Sequence, residues 1–337
     1  MPEFPFYGIS LWKDTLFGVV LFWYSFLIYI MITDSKDIKK PVGIVRIIEY
    51  AVLSLLVIFG RNNGIYIVIL TSLVTGIILM KAAKNKFASF ISVSVGIIVA
   101  SIVVTGSVYK ACGVIESDPV EKYGIPLQQT AYIISSGGSV SESQKAVIEE
   151  ILPVEGWINL YNPVVVDTIK FSPLFNAGYF NTHTSEFVSA YAGIVIKNPI
   201  LAFKGYLLST IGFWDAWISS SSAYICNVHC FNAEYFMSDY FNQKTGLTLT
   251  DIVGPRWYIS SGLLIWIMLL SVCFIMQKKN YRMLAPVVPS LGLWITLMIA
   301  TPISFSFRYI FPMLLCIPIY ILCAGKAVSK ENGEKDN

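Results

Sequence analysis

Apolar residues gather into seven stretches along this chain, with one large polar region between the fourth and the fifth. They cover residues 16–32, 44–59, 65–80, 87–108, 258–276, 284–300 and 310–322. A helix rises 1.5 Å per residue, so about 20 apolar residues cross the hydrocarbon core of a bilayer. The pattern therefore predicts an all-α polytopic membrane protein with about seven transmembrane helices. Four of them fall in 1–111, a mainly helical extracytoplasmic insert fills 112–257, and three more fall in 258–325. Residues 326–337 form a tail.

The insert carries its own helix signals. Ser141-x-x-Gln144 reads as a capping box that opens a helix running to about Leu152, where Pro153 stops it. A second helix starts near Thr184, with Phe187, Tyr191, Ile194 and Val195 at helical spacing, and breaks at Asn198-Pro199. Pro199 suits the first turn of a third helix reaching about Phe213, with Asn198 as its N-cap. Lys204 and Gly205 interrupt that helix, which reads as interfacial or re-entrant rather than a full span. Turn-rich segments lie at Ser135-Ser136-Gly137-Gly138 and Tyr161-Asn162-Pro163. Residues 214–257 are aromatic-rich, which fits a belt at the headgroup level or a platform for a sugar.

Composition agrees with the membrane reading. Hydrophobic residues make up 55% of the chain, and charged residues 13%, about half the ~25% usual for a soluble domain. The distribution of charge sets an orientation. Lys36, Lys39, Lys40 and Arg46 follow the first stretch, and Lys81, Lys84 and Lys86 follow the third. Lys278, Lys279 and Arg282 follow the fifth, and Lys326, Lys330 and Lys335 lie in the tail; together these are thirteen of the 24 basic residues. Cytoplasmic loops carry such an excess. The expected topology therefore has the N-terminus outside, the insert outside and the C-terminus in the cytoplasm. The net charge of +3 gives no reason to expect a nucleic-acid partner.

The signatures of soluble enzymes are absent: no phosphate-binding Gly loop, no nucleophile elbow, no His-Glu-x-x-His. With two histidines, His-dependent acid–base chemistry has little to work with. Cys226, His229 and Cys230 form a Cys-x-x-His-Cys cluster that could be a disulfide, a pair of thiols or part of a zinc set; no metal site is assigned. What remains is a group of polar residues at the outer ends of the apolar stretches. Lys13 and Asp14 precede the first, Arg61, Asn62 and Asn63 join the second to the third, and Arg308 and Tyr309 open the last. Gln128 and Gln129 sit early in the insert. Arg forks bind phosphate oxygens in pairs, so an anionic lipid phosphate is the natural partner of such a rim. A solute transporter is the weaker alternative, because Glu49 is the one ionisable residue well inside a stretch.

Several segments occur in a recognisable order: Pro5-Phe6-Tyr7, Trp12-Lys13-Asp14-Thr15-Leu16-Phe17, Arg61-Asn62-Asn63-Gly64-Ile65-Tyr66 and Pro126-Leu127-Gln128-Gln129-Thr130-Ala131. Tyr161-Asn162-Pro163, Asn198-Pro199 and Pro302…Arg308-Tyr309…Pro312 follow. Taken together the chain resembles a bacterial family of multi-span membrane proteins of unknown function, related to the C-fold glycosyltransferases that use polyprenyl-phosphate sugars. The resemblance implies a plasma-membrane protein that acts on a polyprenyl-phosphate-linked sugar at the outer face, in cell-surface glycan assembly. Asp14 would then be the catalytic carboxylate or an orienting group. Lys13, Arg61 and Arg308 would hold phosphate, Asn62, Gln128 and Gln129 would bond sugar hydroxyls, and Asn63 and Tyr309 would belong to the same substrate-binding set. The cofactor is open, a divalent cation at Asp14 being the one candidate. Two departures bear on this: Tyr132 stands where such proteins carry an Arg, and members of that kind begin with further spans that supply a carboxylate. The resemblance thus implies that this chain starts after that region. The alternative expectation is a non-catalytic protein that binds or moves a lipid-linked glycan.

Overall fold

In the computed structural model, residues 13–33, 43–82, 84–114, 118–217, 242–244, 246, 260–300, 303–304 and 306–335 are described. Among them the chain is all-helical, without a strand. It divides into two compact units. The first comprises Met1–Val114, Ala216–Thr296 and Phe307–Asn337, and the second Ile115–Asp215 with Leu297–Ser306.

The first unit is built on α1 (Lys13–Thr33), α2 (Ile44–Gly60), α3 (Gly64–Ala82) and α4 (Lys84–Val103). The last of these continues through a π-helical stretch, Val104–Val108, into Tyr109–Ala111. Buried positions on α1 recur every three or four residues: Phe17, Leu21, Tyr24, Ile28 and Ile32 share a stripe. That stripe explains why α1 is the hub, packing on α2 and on the last helix of the chain.

The α2–α3 turn is the tightest point of this unit. A Cβ built on Gly64 would lie 2.0 Å from the Val57 carbonyl oxygen and 2.7 Å from its carbon, both rigid backbone. Only glycine lets α3 start that close to the end of α2. The turn between them holds Arg61 in an extended conformation at the end of α2 (φ −146°, ψ 144°), and the Gly64 N–H donates to the Arg61 carbonyl at 2.8 Å.

The second unit is small and globular in its construction. Its helices are α5 (Gly124–Ser135), α6 (Glu142–Ile151), α7 (Val154–Asn159), α8 (Asp167–Lys170), α9 (Ala177–Thr182), α10 (Thr184–Lys197) and α11 (Pro199–Ser209). Leu127, Ile148, Trp157, Phe180, Phe187 and Ile194 form its core, and the Trp157 indole N–H donates to the Ile148 carbonyl at 3.1 Å. The Ser141–Gln144 capping box opens α6, with the Ser141 N–H donating to Gln144 Oε1 at 2.9 Å. Lys170 bridges Glu121 (2.7 Å) and Asp167 (2.9 Å).

Two expectations for this region change. The third helix ends at Ser209, with only a 3-10 turn, Ile211–Phe213, beyond it. Asn198 precedes α11, but its side chain does not cap that helix. Its Oδ1 accepts the Ser139 N–H at 2.8 Å, while its Nδ2 donates to the carbonyls of Ser139 (2.8 Å) and Ile194 (2.9 Å). A residue needed to tie down a loop 59 positions away has no amide left for the local cap. Residues after Asp215 that are described belong with the first unit rather than with the insert, whereas Leu297–Ser306 joins the second. The Tyr206 hydroxyl donates to the Met298 carbonyl at 3.2 Å there. Most of 214–257, including Cys226, His229 and Cys230, lies outside the described residues.

The remaining helices are α12 (Ser261–Gln277), α13 (Val288–Ala300) and α14 (Phe311–Lys335). Among the described residues three helices are long and apolar enough to cross a membrane: Lys13–Thr33, Phe90–Ala111 and Phe311–Val328. A fourth is added if α10 and α11, bent by 109° at Asn198, count as one broken span. Gly64–Met80, Ser261–Gln277 and Val288–Ala300 are apolar but shorter. Several apolar helices could thus span a membrane.

The backbone clash at Gly64 has a direct consequence. Gly64→Ala should destabilise the protein by about 1–3 kcal/mol or more, as overpacking against unyielding atoms does, read as a fall in melting temperature in detergent. A parent-like melting curve would show that the α2–α3 crossing is looser than described.

Candidate functional site

Three pieces of chain meet at one end of the first unit: the first turn of α1, the α2–α3 turn, and the 3-10 turn Phe307–Tyr309 before α14. The first turn of α1 brings Asp14, which is 6% exposed. The α2–α3 turn brings Arg61, whose Nε lies 3.6 Å from Asp14 Oδ1. Both side chains are nearly enclosed, at 11% and 8% exposure. A charge so far from water needs a counter-charge, and each supplies the other's.

Aromatic rings complete the guanidinium's surroundings. Its carbon lies 5.5 Å from the centroid of the Phe17 ring and 5.0 Å from that of Tyr309. Ring faces carry partial negative charge and attract a guanidinium stacked on them. Arg308 also sits over the Tyr309 ring, at 4.6 Å, and donates a hydrogen bond to its hydroxyl. Burial lowers the pKa of Arg61; Asp14 and Tyr309 oppose the shift and Arg308 adds to it. The group starts so high that it stays charged at neutral pH.

The buried Arg61 Nη1 has no hydrogen-bond acceptor, and a second guanidinium, that of Arg308, lies over the same Tyr309 ring. A buried, unused guanidinium donor suits an anion with several oxygens, such as a phosphate.

A family model matches residues 1–337 in full, that of a family of unknown function (DUF6020). The chain belongs to that family. No curated protein and no solved structure matches it.

In this DUF6020 member the other residues read from sequence fall in three places. Lys13 begins α1 next to Asp14 and is exposed. Asn62 is exposed and Asn63 half-buried in the same turn as Arg61, and the Asn63 carbonyl accepts the Tyr66 N–H at 3.2 Å. Gln128 and Gln129 belong to the second unit, where both are buried. Gln128 Nε2 donates to the Asn162 carbonyl at 2.8 Å. Gln129 Nε2 donates to the Ala202 carbonyl at 2.7 Å, and its Oε1 accepts the Tyr191 hydroxyl. These amides join α5 to α10, α11 and the Tyr161-Asn162 segment. Lys13, Asp14, Arg61, Asn62, Asn63, Arg308 and Tyr309 thus all lie in the first unit, and Gln128 and Gln129 do not. Among the described residues no cluster of His, Cys, Asp and Glu suited to a metal occurs.

Phe17 is the site residue that sequence reasoning passed over. It lies three positions after Asp14, hence on the same helical face, which was the available signal. Gly60 makes room for it: a Cβ there would come within 3.0 Å of the Phe17 ring.

If the Asp14–Arg61 pair is as enclosed as described, breaking it from one side should be worse than removing both charges. Asp14→Asn should destabilise by roughly 3–5 kcal/mol, as for a buried charge left alone. The double variant Asp14→Asn with Arg61→Gln should recover part of that loss. Additive losses in thermal unfolding would mean that the two groups do not depend on each other.

Proposed function

We propose that the protein is a multi-pass plasma-membrane protein that engages the phosphate of a polyprenyl-phosphate-linked sugar at the outer face, in the manner of a C-fold glycosyltransferase. The observation that carries this reading is the pair of guanidinium groups over one tyrosine ring, with a buried Arg61 Nη1 left without an acceptor. Support also comes from the basic segments of the sequence, whose positions under the positive-inside rule favour an extracytoplasmic place for Arg61 and Arg308. In this reading the chain crosses a bacterial membrane about seven times, with its N-terminus and residues 112–257 outside and its C-terminus in the cytoplasm. Arg308 and Arg61 would hold the phosphate oxygens, and Lys13 would add positive charge at the entrance.

Asp14 favours a second reading. A general base must reach the hydroxyl whose proton it takes. Asp14 instead faces Arg61 and is 6% exposed. That arrangement suits a counter-charge that positions Arg61, as in a non-catalytic protein that binds or carries a lipid-linked glycan. The two readings share a binding step and differ in the transfer step.

Binding of a polyprenyl-phosphate sugar and transfer of labelled sugar, measured side by side, separate them. Arg308→Ala should weaken binding roughly 10- to 100-fold, the value of a charged hydrogen bond to phosphate. Asp14→Asn should change it much less than Arg308→Ala does, since loss of a negative charge near a phosphate raises attraction while the freed Arg61 loses its positioning. If Asp14 is also the catalytic base, its loss should cut transfer by about 10²-fold or more. Unchanged binding in Arg308→Ala would remove the phosphate reading.

Topology has its own check. In a cysteine-free background, Ser136→Cys should react with a membrane-impermeant maleimide in intact cells, and Lys279→Cys only after lysis. Protection of Ser136→Cys until the cells are opened would sink the proposed orientation.

A further inference from the structure

Hydroxyl groups in apolar helices normally satisfy themselves by donating to a carbonyl one turn back. Ser94, Ser101 and Ser271 do so, to Phe90, Ile97 and Ile267, at 2.8–2.9 Å. Ser25 of α1, Ser290 of α13 and Tyr320 of α14 behave differently. All three are at most 1% exposed, and none has a protein partner at full hydrogen-bond geometry. They are neighbours nonetheless. The buried Cys316 thiol interacts with Ser25 and Ser290, and the Tyr320 hydroxyl interacts with Ser290. Three hydroxyls on three helices are thus linked only loosely, through one another and through one thiol.

A similar group lies on the other side of α1. The Tyr24 hydroxyl and Ser54 Oγ are buried without a regular partner, and Tyr24 lies near both Ser54 and Tyr50. The Tyr50 hydroxyl is itself satisfied, by Ser72 at 2.8 Å and Ser94 at 3.0 Å. Tyr24 and Ser25 are consecutive, so α1 presents one orphan hydroxyl to each cluster.

We infer that each cluster is a binding site for an enclosed water, and that the Ser25–Ser290–Tyr320 site is the better formed. A buried water makes about three hydrogen bonds to otherwise unsatisfied groups, which is the number of orphan hydroxyls gathered there. Among the described residues neither cluster contains a carboxylate or a cation, so an ion placed there would have no charge to offset its desolvation. Water is the ligand that fits the donor set. Bound in this way it joins α1, α13 and α14 by hydrogen bonds at a depth where every polar group must find a partner inside the protein.

The test uses the full chain in lipid nanodiscs, labelled with ¹³C-tyrosine, and water-edited solid-state NMR. Polarisation from water should reach the Tyr320 ring, identified as the signal missing in Tyr320→Phe, although that ring is buried. Ser290→Ala should lower the melting temperature by about 1–2 °C, because the shift per kcal/mol falls as a chain grows beyond ~250 residues. Ser101→Ala, whose hydroxyl serves only its own helix, should melt like the parent. No transfer to Tyr320, or a Ser290→Ala variant that melts at or above the parent, would overturn the inference. Should Ser290→Ala fail to fold, the NMR measurement on the parent still decides.

Discussion

A guanidinium group cannot be buried beside apolar helices without compensation, and the first unit is arranged around that need. Arg61 lies at 11% side-chain exposure, with Asp14 at 3.6 Å and the rings of Phe17 and Tyr309 close to it. Asp14 and Phe17 come from α1 and Tyr309 from the turn before α14, so with the turn that carries Arg61 itself one charge ties three segments together. The constraint also runs back into the backbone. Arg61 reaches this place because α2 and α3 approach closely enough that a side chain at Gly64 would overlap the Val57 carbonyl. The turn, the pair and the rings are one device.

Polar partnering between helices recurs elsewhere in the unit, both near its surface and inside it. Glu49, the ionisable residue that stood out inside an apolar stretch, accepts from the Trp23 indole at 2.8 Å and pairs with Arg46 at 2.9 Å. One residue thereby links α1 to the first turn of α2. Tyr50, its neighbour, ties α3 and α4 through Ser72 and Ser94. Partnering by charge at the helix ends and by hydroxyls deeper in gives the packing a directionality that apolar contact alone would not.

Local signals in the sequence were read well because their physics is local. The Ser141–Gln144 box, the start of α10 at Thr184 and its break at Asn198-Pro199 depend on neighbours within a turn or two. The rim residues Asp14, Arg61, Arg308 and Tyr309 could be grouped from sequence because the apolar spacing puts them at common helix ends. Gln128 and Gln129 could not be placed by that logic. Their partners Asn162, Tyr191 and Ala202 are 34 to 73 positions away, and no periodicity reports a pairing of that length. Asn198 shows the same limit in one residue: its position was legible as a helix start, while its hydrogen bonds to Ser139 were not.

Asp14 is where structure and chemistry pull against each other. Against Arg61, a carboxylate earns its place by preventing the cost of a lone buried cation, whatever else it does. For it to take a proton from an acceptor, it would have to leave Arg61, and Arg61 would then need another anion at that moment. A phosphate on the incoming lipid would be such an anion. Binding and release of the carboxylate would therefore be coupled, with the ligand replacing Asp14 as the partner of the guanidinium. On the proposed reading Asp14 would hold Arg61 ready before a ligand arrives, and any catalytic part it played would come only after a phosphate had taken over that task.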